Sequence, residues 1–388
     1  MKRGSTWAAV ASVVFLSLNL RASIAALGPV LPQVRDDLGL GRAAAGLFTT
    51  VPVLCFGVLA PLAGWMATRW GAERALVAGV LGLAVGVAVR SYGSVAAAFA
   101  GTVLLGAGIT VANVVVPIVV KRDFAAIGPV TGAYSASLTG GAAIAAAVSA
   151  PLAFAAGLGW QVSLLLWSAP ALGAAAVWTF RRRSRPSTAR VGAVLPEPAG
   201  RVWRSGTAWA LAGFMATQSL LFYAANAWLP VILQAQGVSP SHAGYTLSAF
   251  NIVGIASALV APSIASRTRD QRWLALCICG GWAVGVLGLL FVPALYPLWA
   301  LLAGFAQGAA IALAVTLIVL RSARQGVVHN LSGMVQGVGY ALAALGPLLL
   351  GVLRDATGSW AAPLWFLVGV VVVMSGVSIV VGRPKTIG

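Results

Sequence analysis

The chain has 388 residues, of which 60% are hydrophobic and 8% charged, and its formal net charge is +18. A soluble domain carries about 25% charged residues, so this composition excludes a water-solvated globule and calls for a bilayer. The positive charge does not signal nucleic acid, because the basic residues sit in short clusters between apolar runs, which is how membrane orientation is encoded.

In chain order, Lys2 and Arg3 precede an apolar stretch from Trp7 to Leu20 and small residues at 22–26, an arrangement that imitates a secretory leader. Arg21 interrupts the run and hydrophobicity resumes through Leu31, so a retained first span is expected. Apolar runs near the roughly 20 residues a bilayer needs predict spans at 7–33, 43–66, 75–91, 95–120, 129–157, 161–180, 208–234, 242–266, 273–292, 296–320, 331–353 and 361–382. Of the 25 basic residues, twenty fall in segments on the N-terminal side of the membrane. Four (Arg35, Arg42, Arg90 and Arg354) fall on the other side, and Arg21 lies inside a span. That bias predicts a multi-pass protein of the bacterial inner membrane with both termini cytoplasmic.

The longest connection, 181–207, is rich in Arg, Ser, Pro and Gly and reads as a flexible cytoplasmic linker between six-helix bundles at 1–180 and 208–388. A shift of 198 positions lays the halves on each other: Leu31 and Pro32 fall on Leu229 and Pro230, Gly39 on Gly237, Ala45 and Gly46 on Ala243 and Gly244. Farther on, Arg69 meets Arg267, Arg74 meets Arg272 and Gly82 meets Gly280. The expected fold is an all-α integral membrane protein, twelve transmembrane helices in two pseudo-symmetric six-helix bundles. This design resembles the major facilitator superfamily, which implies a substrate held between the halves near mid-membrane.

Local patterns extend the resemblance. The segment from Gly64 to Arg74, GWMATRWGAER, is similar to the superfamily's loop signature between its second and third spans, with Thr68 where the family usually has Asp. A more specific resemblance is to the cyanate and 2-nitroimidazole transporter family. It rests on Asn19-Leu20-Arg21, then Gly28-Pro29 through Arg35, Gly46 to Pro52, and Asn113 to Phe124. In the second half it uses Trp228-Leu229-Pro230, Leu331 to Tyr340 and Gly346-Pro347. The resemblance implies transport of a small anion or a small polar nitrogen compound.

Arg21 is the central candidate. It stands about halfway along the first span, where a charge costs roughly 2.5–3.5 kcal/mol, and its guanidinium cannot shed its proton. The acids Asp36, Asp37, Glu73, Asp123, Glu197, Asp270 and Asp355 all fall in loops or at span ends; Asp36 is about 22 Å away along a helix. No carboxylate is expected at mid-depth, so an anionic substrate becomes the expected partner, and a planar fork suits a small planar anion. A structural arginine held by helix carbonyls and water is the alternative.

The other candidates are neutral. Thr110, Asn113 and Pro117 share a face of span four; Ser219, Tyr223 and Asn226 share one of span seven, beside Gln218; Gln336 and Tyr340 are one turn apart in span eleven. Tyr134, Ser135, Asn251 and Gln307 complete the set. Each is also suited to linking helices, a role worth about 0.6 kcal/mol. Asn113, Gln218, Tyr223, Gln336 and Tyr340 are the expected substrate contacts beside Arg21. The Gly-Pro pairs at 28–29 and 346–347 read as helix kinks, and His242 and His329 as surface residues.

No phosphate-binding loop of the Gly-x-x-x-x-Gly-Lys-[Ser/Thr] type occurs, so this chain does not hydrolyse ATP. Two histidines and seven scattered acids form no catalytic set, and Cys55, Cys277 and Cys279 form neither a disulfide framework nor a metal site. An enzyme is therefore not expected, nor any cofactor or metal. The expected protein is a secondary transporter of a small anion, cyanate-like or a small carboxylate, and acts as a monomer. Carriage of a neutral nitrogen compound such as a nitroimidazole is the alternative. Proton coupling, passive transport and exchange all stay open.

Overall fold

The computed structural model describes residues 3–124, 127–183, 200–323 and 325–387. They form seventeen helices: α1 (Arg3–Ala25), α2 (Leu31–Asp37), α3 (Arg42–Val58), α4 (Ala60–Trp70), α5 (Ala72–Arg90), α6 (Val95–Asp123), α7 (Ile127–Ala150), α8 (Gly159–Leu165) and α9 (Ser168–Arg183). The series continues with α10 (Gly200–Trp203), α11 (Gly206–Ala235), α12 (Pro240–Arg267), α13 (Arg272–Phe291), α14 (Tyr296–Leu320), α15 (Gln325–Ala343), α16 (Leu345–Thr357) and α17 (Ala361–Val381). A single bridge between Ser322 and Ile387 is the one β-type pairing among the described residues. The expected linker lies largely outside the described residues, as do Glu197 and the side chains of Thr68 and His329.

Among the described residues, eleven helical segments are long and apolar enough to span a bilayer. The remaining expected span, 43–66, is present as α3 and α4, which part at Leu59. Pro61 has no N–H for the carbonyl four residues before it, which weakens the helix there, although α3 itself runs through Pro52. The chain is thus an all-α multi-pass membrane protein.

Two compact units are present. One comprises Met1–Leu40, Val51–Ala193 and Pro240–Ser248; the other comprises Gly41–Thr50, Val194–Ser239 and Ala249–Gly388. The first turns of α3 therefore belong to the second unit, and the first turns of α12 to the first. Close backbone approach explains both memberships. A Cβ added at Gly46 would stand 2.5 Å from the Pro347 carbonyl oxygen, and one added at Gly244 would stand 2.5 Å from that of Ala146.

In the first unit, apolar residues at helical spacing build the core. Val13, Leu16, Leu20 and Ile24 of α1 join Leu76, Val80, Leu83 and Val87 of α5 and Leu105, Ile109 and Val116 of α6. Apolar lipid gives little hydrophobic drive between helices, so close packing by small residues matters more. Along α5 and α6 the fit is tight enough that a Cβ on Gly86 would stand 2.4 Å from the Leu105 amide nitrogen. Several buried hydroxyls are spent on their own helix: Ser17 donates to the Val13 carbonyl at 2.6 Å, Thr102 to Ala98 at 2.7 Å and Ser149 to Ala145 at 2.7 Å. Helix carbonyls supply the partners that a bilayer lacks.

The first span is discontinuous. α1 stops at Ala25, a 3-10 turn covers Gly28–Val30, and α2 follows. Pro29 again removes the donor that regular helix needs there. The chain also breaks at Ala344, three residues before Pro347.

Candidate functional site

In the first unit, Arg21 lies near the middle of the Trp7–Asp37 span and is half-buried. It is not free, since a neighbouring group engages it. Its case as an anion ligand therefore rests on permanent charge, depth and partial exposure, and no longer on the isolation expected of it. The six described acids are all engaged near the span ends. Asp36 pairs with Arg35 at 2.5 Å, Asp37 accepts the Trp160 indole N–H at 2.7 Å, and Asp123 meets Arg122 and Arg181, each at 2.8 Å. Glu73 pairs with Arg122, Asp270 with Arg272 at 2.5 Å, and Asp355 with Arg42 at 3.4 Å. The Glu73 hydrogen bond holds the Arg122 guanidinium above its ordinary range.

Arg90 departs from expectation. It was placed in a loop on the outer side, yet it is 2% exposed and its Nη2 donates to the Ser23 carbonyl at 2.8 Å. Ser23 is two residues from Arg21, so Arg90 reaches α1 within about 3 Å along its axis of the Arg21 backbone, but about 200° around the helix from it. Arg21 is therefore not the single cation there. An arginine that ends an apolar run looks like a loop residue, and the contact that draws it inward spans 67 positions of sequence.

Asn113 accepts the Tyr134 hydroxyl at 2.9 Å, which joins α6 to α7. Thr110 of the same face is spent on the Gly106 carbonyl at 2.8 Å.

In the second unit, Tyr223 of α11 and Tyr340 of α15 come together edge to face, with ring centroids 6.5 Å apart. Gln336, one turn before Tyr340, is half-buried and donates to Ser332 at 2.7 Å. Gln218 is different: it is fully buried, donates to Ser219 Oγ at 2.7 Å and Met215 Sδ at 3.0 Å, and accepts from Gln307 at 2.9 Å. In this conformation Gln218 ties α11 to α14 and shows no open face. Its neighbour Asn226 donates to the Phe222 carbonyl at 3.0 Å and accepts from Asn251 at 3.3 Å. An apolar pocket in this unit is lined by Leu229, Phe250, Trp282 and Leu350 among others; it holds no charged or carboxamide side chain that would orient a polar solute.

Within the first unit a deep cation and a carboxamide–phenol pair, and within the second unit a phenol pair and carboxamides, are groups able to bind and orient a solute. Among the described residues, no group of three or more His, Cys, Asp or Glu side chains stands where it would hold a metal.

The Major Facilitator Superfamily model matches residues 13–344. The 2-nitroimidazole transporter of Escherichia coli (strain K12) is 36% identical over 379 residues, covering 97% of this chain and 96% of the relative. The cyanate transport protein CynX of the same organism is 30% identical over 368 residues, covering 93% and 94%. Among solved structures, a bacterial homolog of the human lysosomal transporter Spinster, inward-facing and unoccupied, superposes with a TM-score of 0.80 at 16% identity, covering 99% of this chain and 98% of that one.

Proposed function

This chain belongs to the major facilitator superfamily and is a membrane transporter rather than an enzyme, and we propose that it carries a small anion, cyanate-like or a small carboxylate, by alternating access. In this reading Arg21 anchors the anion. Asn113, Gln218, Gln336, Tyr223 and Tyr340 shape and orient the site, with Gln218 tied to Gln307 in this conformation. The halves at 1–180 and 208–388, joined by the 181–207 linker, rock around the fixed site in the inner membrane, with both termini cytoplasmic and the monomer as the working unit.

Arg21 is the observation that carries this reading. An intramembrane charge is expensive, and expense is tolerated where it serves a solute. The fork geometry of guanidinium matches planar anions. Similarity to the cyanate transport protein supports the same class.

A second reading is carriage of a neutral nitroimidazole. The 36% identity to the 2-nitroimidazole transporter favours it, as does the edge-to-face Tyr223–Tyr340 pair, whose rings suit a planar heterocycle.

Thermal unfolding of the purified protein separates the two. Cyanate, nitrate, small carboxylates and neutral nitroimidazoles are each tested on wild type and Arg21→Gln. A ligand at 100 times its dissociation constant adds about 2.7 kcal/mol. Stabilisation by one anion, abolished in Arg21→Gln, supports the anion reading. Stabilisation by a neutral ligand that survives the substitution replaces it with the second. A coupling proton is tested by uptake into liposomes across pH; a flat profile removes it.

A further inference from the structure

We infer that the corner between α10 and α11 is a docking site for an anionic phospholipid, with Arg204 on the phosphate and the Trp203–Trp209 pair against the glycerol and upper acyl carbons.

The sequence brings charge to this corner. Seven arginines and one acid fall within 181–204, so the approach to α11 is positive and draws an anionic leaflet. α10 ends at Trp203 and α11 begins at Gly206, which leaves Arg204 and Ser205 as the corner itself. It stands at the start of the Gly206–Ala235 span, where a membrane helix meets headgroups. On the orientation proposed above, those headgroups belong to the cytoplasmic leaflet. Both sides of the corner are held by the protein. Val202 of α10 is buried, and the Ser205 hydroxyl accepts the Ala208 amide at 3.4 Å, which caps the first turn of α11.

The exposed surface has the chemistry of a headgroup site. Trp203 and Trp209 are each 47% exposed, and their rings meet edge to face with centroids 5.9 Å apart. Tryptophan suits a membrane interface because its ring is apolar and its N–H polar. Here the Trp209 N–H is already spent on the Trp203 carbonyl at 2.9 Å. That bond locks the pair and leaves the outward side of Trp209 to its apolar ring. Arg204, between them in sequence, is exposed and makes no ion pair or hydrogen bond among the described residues. Its fork fits two oxygens of a phosphodiester. A free phosphate would satisfy the arginine and leave both rings in water, whereas a phospholipid covers the rings as well. The first half of the chain has no such corner: the 198-residue shift sets Ser5, Thr6 and Ala11 at the places of Trp203, Arg204 and Trp209. The corner therefore lies outside the framework that the two halves share.

The test is thermal unfolding of the full-length protein in a neutral detergent, with phosphatidylglycerol or phosphatidylcholine of the same acyl chains added in equal amount. In wild type, phosphatidylglycerol should raise Tm above phosphatidylcholine by on the order of 2 °C. Arg204→Gln should lose at least half of that difference, and Arg204→Lys should keep most of it. Arg269→Gln, at an exposed arginine away from the corner, should leave it unchanged. Trp203→Ala should reduce it while Arg204 is still present. Glycerophosphate, which has the phosphate without acyl chains, should not replace the lipid. In native mass spectra, wild type should retain one more phosphatidylglycerol than Arg204→Gln. The inference is overturned by equal Tm in the two lipids, by equal losses in Arg204→Gln and Arg269→Gln, or by full stabilisation with glycerophosphate. No transported solute enters the assay, so failure here leaves the transport reading untouched.

Discussion

Arg321 of the second unit donates to the Gln271 side chain, where the first unit sets Arg122 on Glu73. The 198-residue shift carries Glu73 onto Gln271 but Arg122 onto Leu320, one position before Arg321, so the arginine–acid contact has an arginine–amide counterpart displaced by one residue on the arginine side. Arg321 is 3% exposed, is further held by the carbonyls of Val381 and Gly382, each at 3.1 Å, and burial pushes its guanidinium down. Two substitutions test the asymmetry. Glu73→Gln should destabilise by on the order of 1 kcal/mol, since the pair is only partly buried. Gln271→Glu should raise Tm by giving Arg321 a charge-assisted partner. Thermal unfolding reads both, and a fall in Tm for Gln271→Glu would show that desolvation outweighs the new attraction.

Gly46 should not tolerate a side chain. Its neighbour is the Pro347 backbone carbonyl, which cannot swing aside as a flexible side chain does. Gly46→Ala should cost about 1–3 kcal/mol through overpacking. Gly64→Ala, with nothing within 4 Å of the added Cβ, is the matched control and should be near neutral or stabilising. Equal Tm values for the two variants would refute the close approach.

Trp228 holds the same carbonyl from another side, through an indole N–H at 2.8 Å. Trp228→Phe keeps most of the ring and removes the donor, leaving a buried acceptor at a cost of about 1–3 kcal/mol. The Trp228 ring also packs at 5.4 Å on Trp360, so Trp228→Ala should cost more. Thermal unfolding of the pair separates hydrogen bond from packing.

Gln218 and Gln307 give a double-mutant cycle. Gln307→Leu strands the Gln218 carbonyl oxygen in a fully buried position and should cost about 1–3 kcal/mol. Adding Gln218→Leu removes the stranded group and should recover much of that loss. Additive losses would mean that the 2.9 Å contact carries no coupling.

Sequence was sufficient for the class of molecule, because that class follows from local composition. Apolar runs separated by basic clusters leave a bilayer as the only solvent, and the 198-residue repeat reports two related halves before any contact is known. Arg21 was legible for the same reason: a charge within an apolar run can be seen one residue at a time. The tertiary structure alone decided where polar side chains spend their hydrogen bonds. Sequence set Gln218 beside Tyr223 on α11, but only the fold shows it bonded to Gln307, 89 positions away. Arg90 looked like a loop residue until a carbonyl freed by the break before Pro29 drew it into the protein. The split of 43–66 at Leu59 lay between these extremes: Pro61 was visible, but proline is common in membrane helices, and only the surrounding packing decides whether one bends a span or divides it.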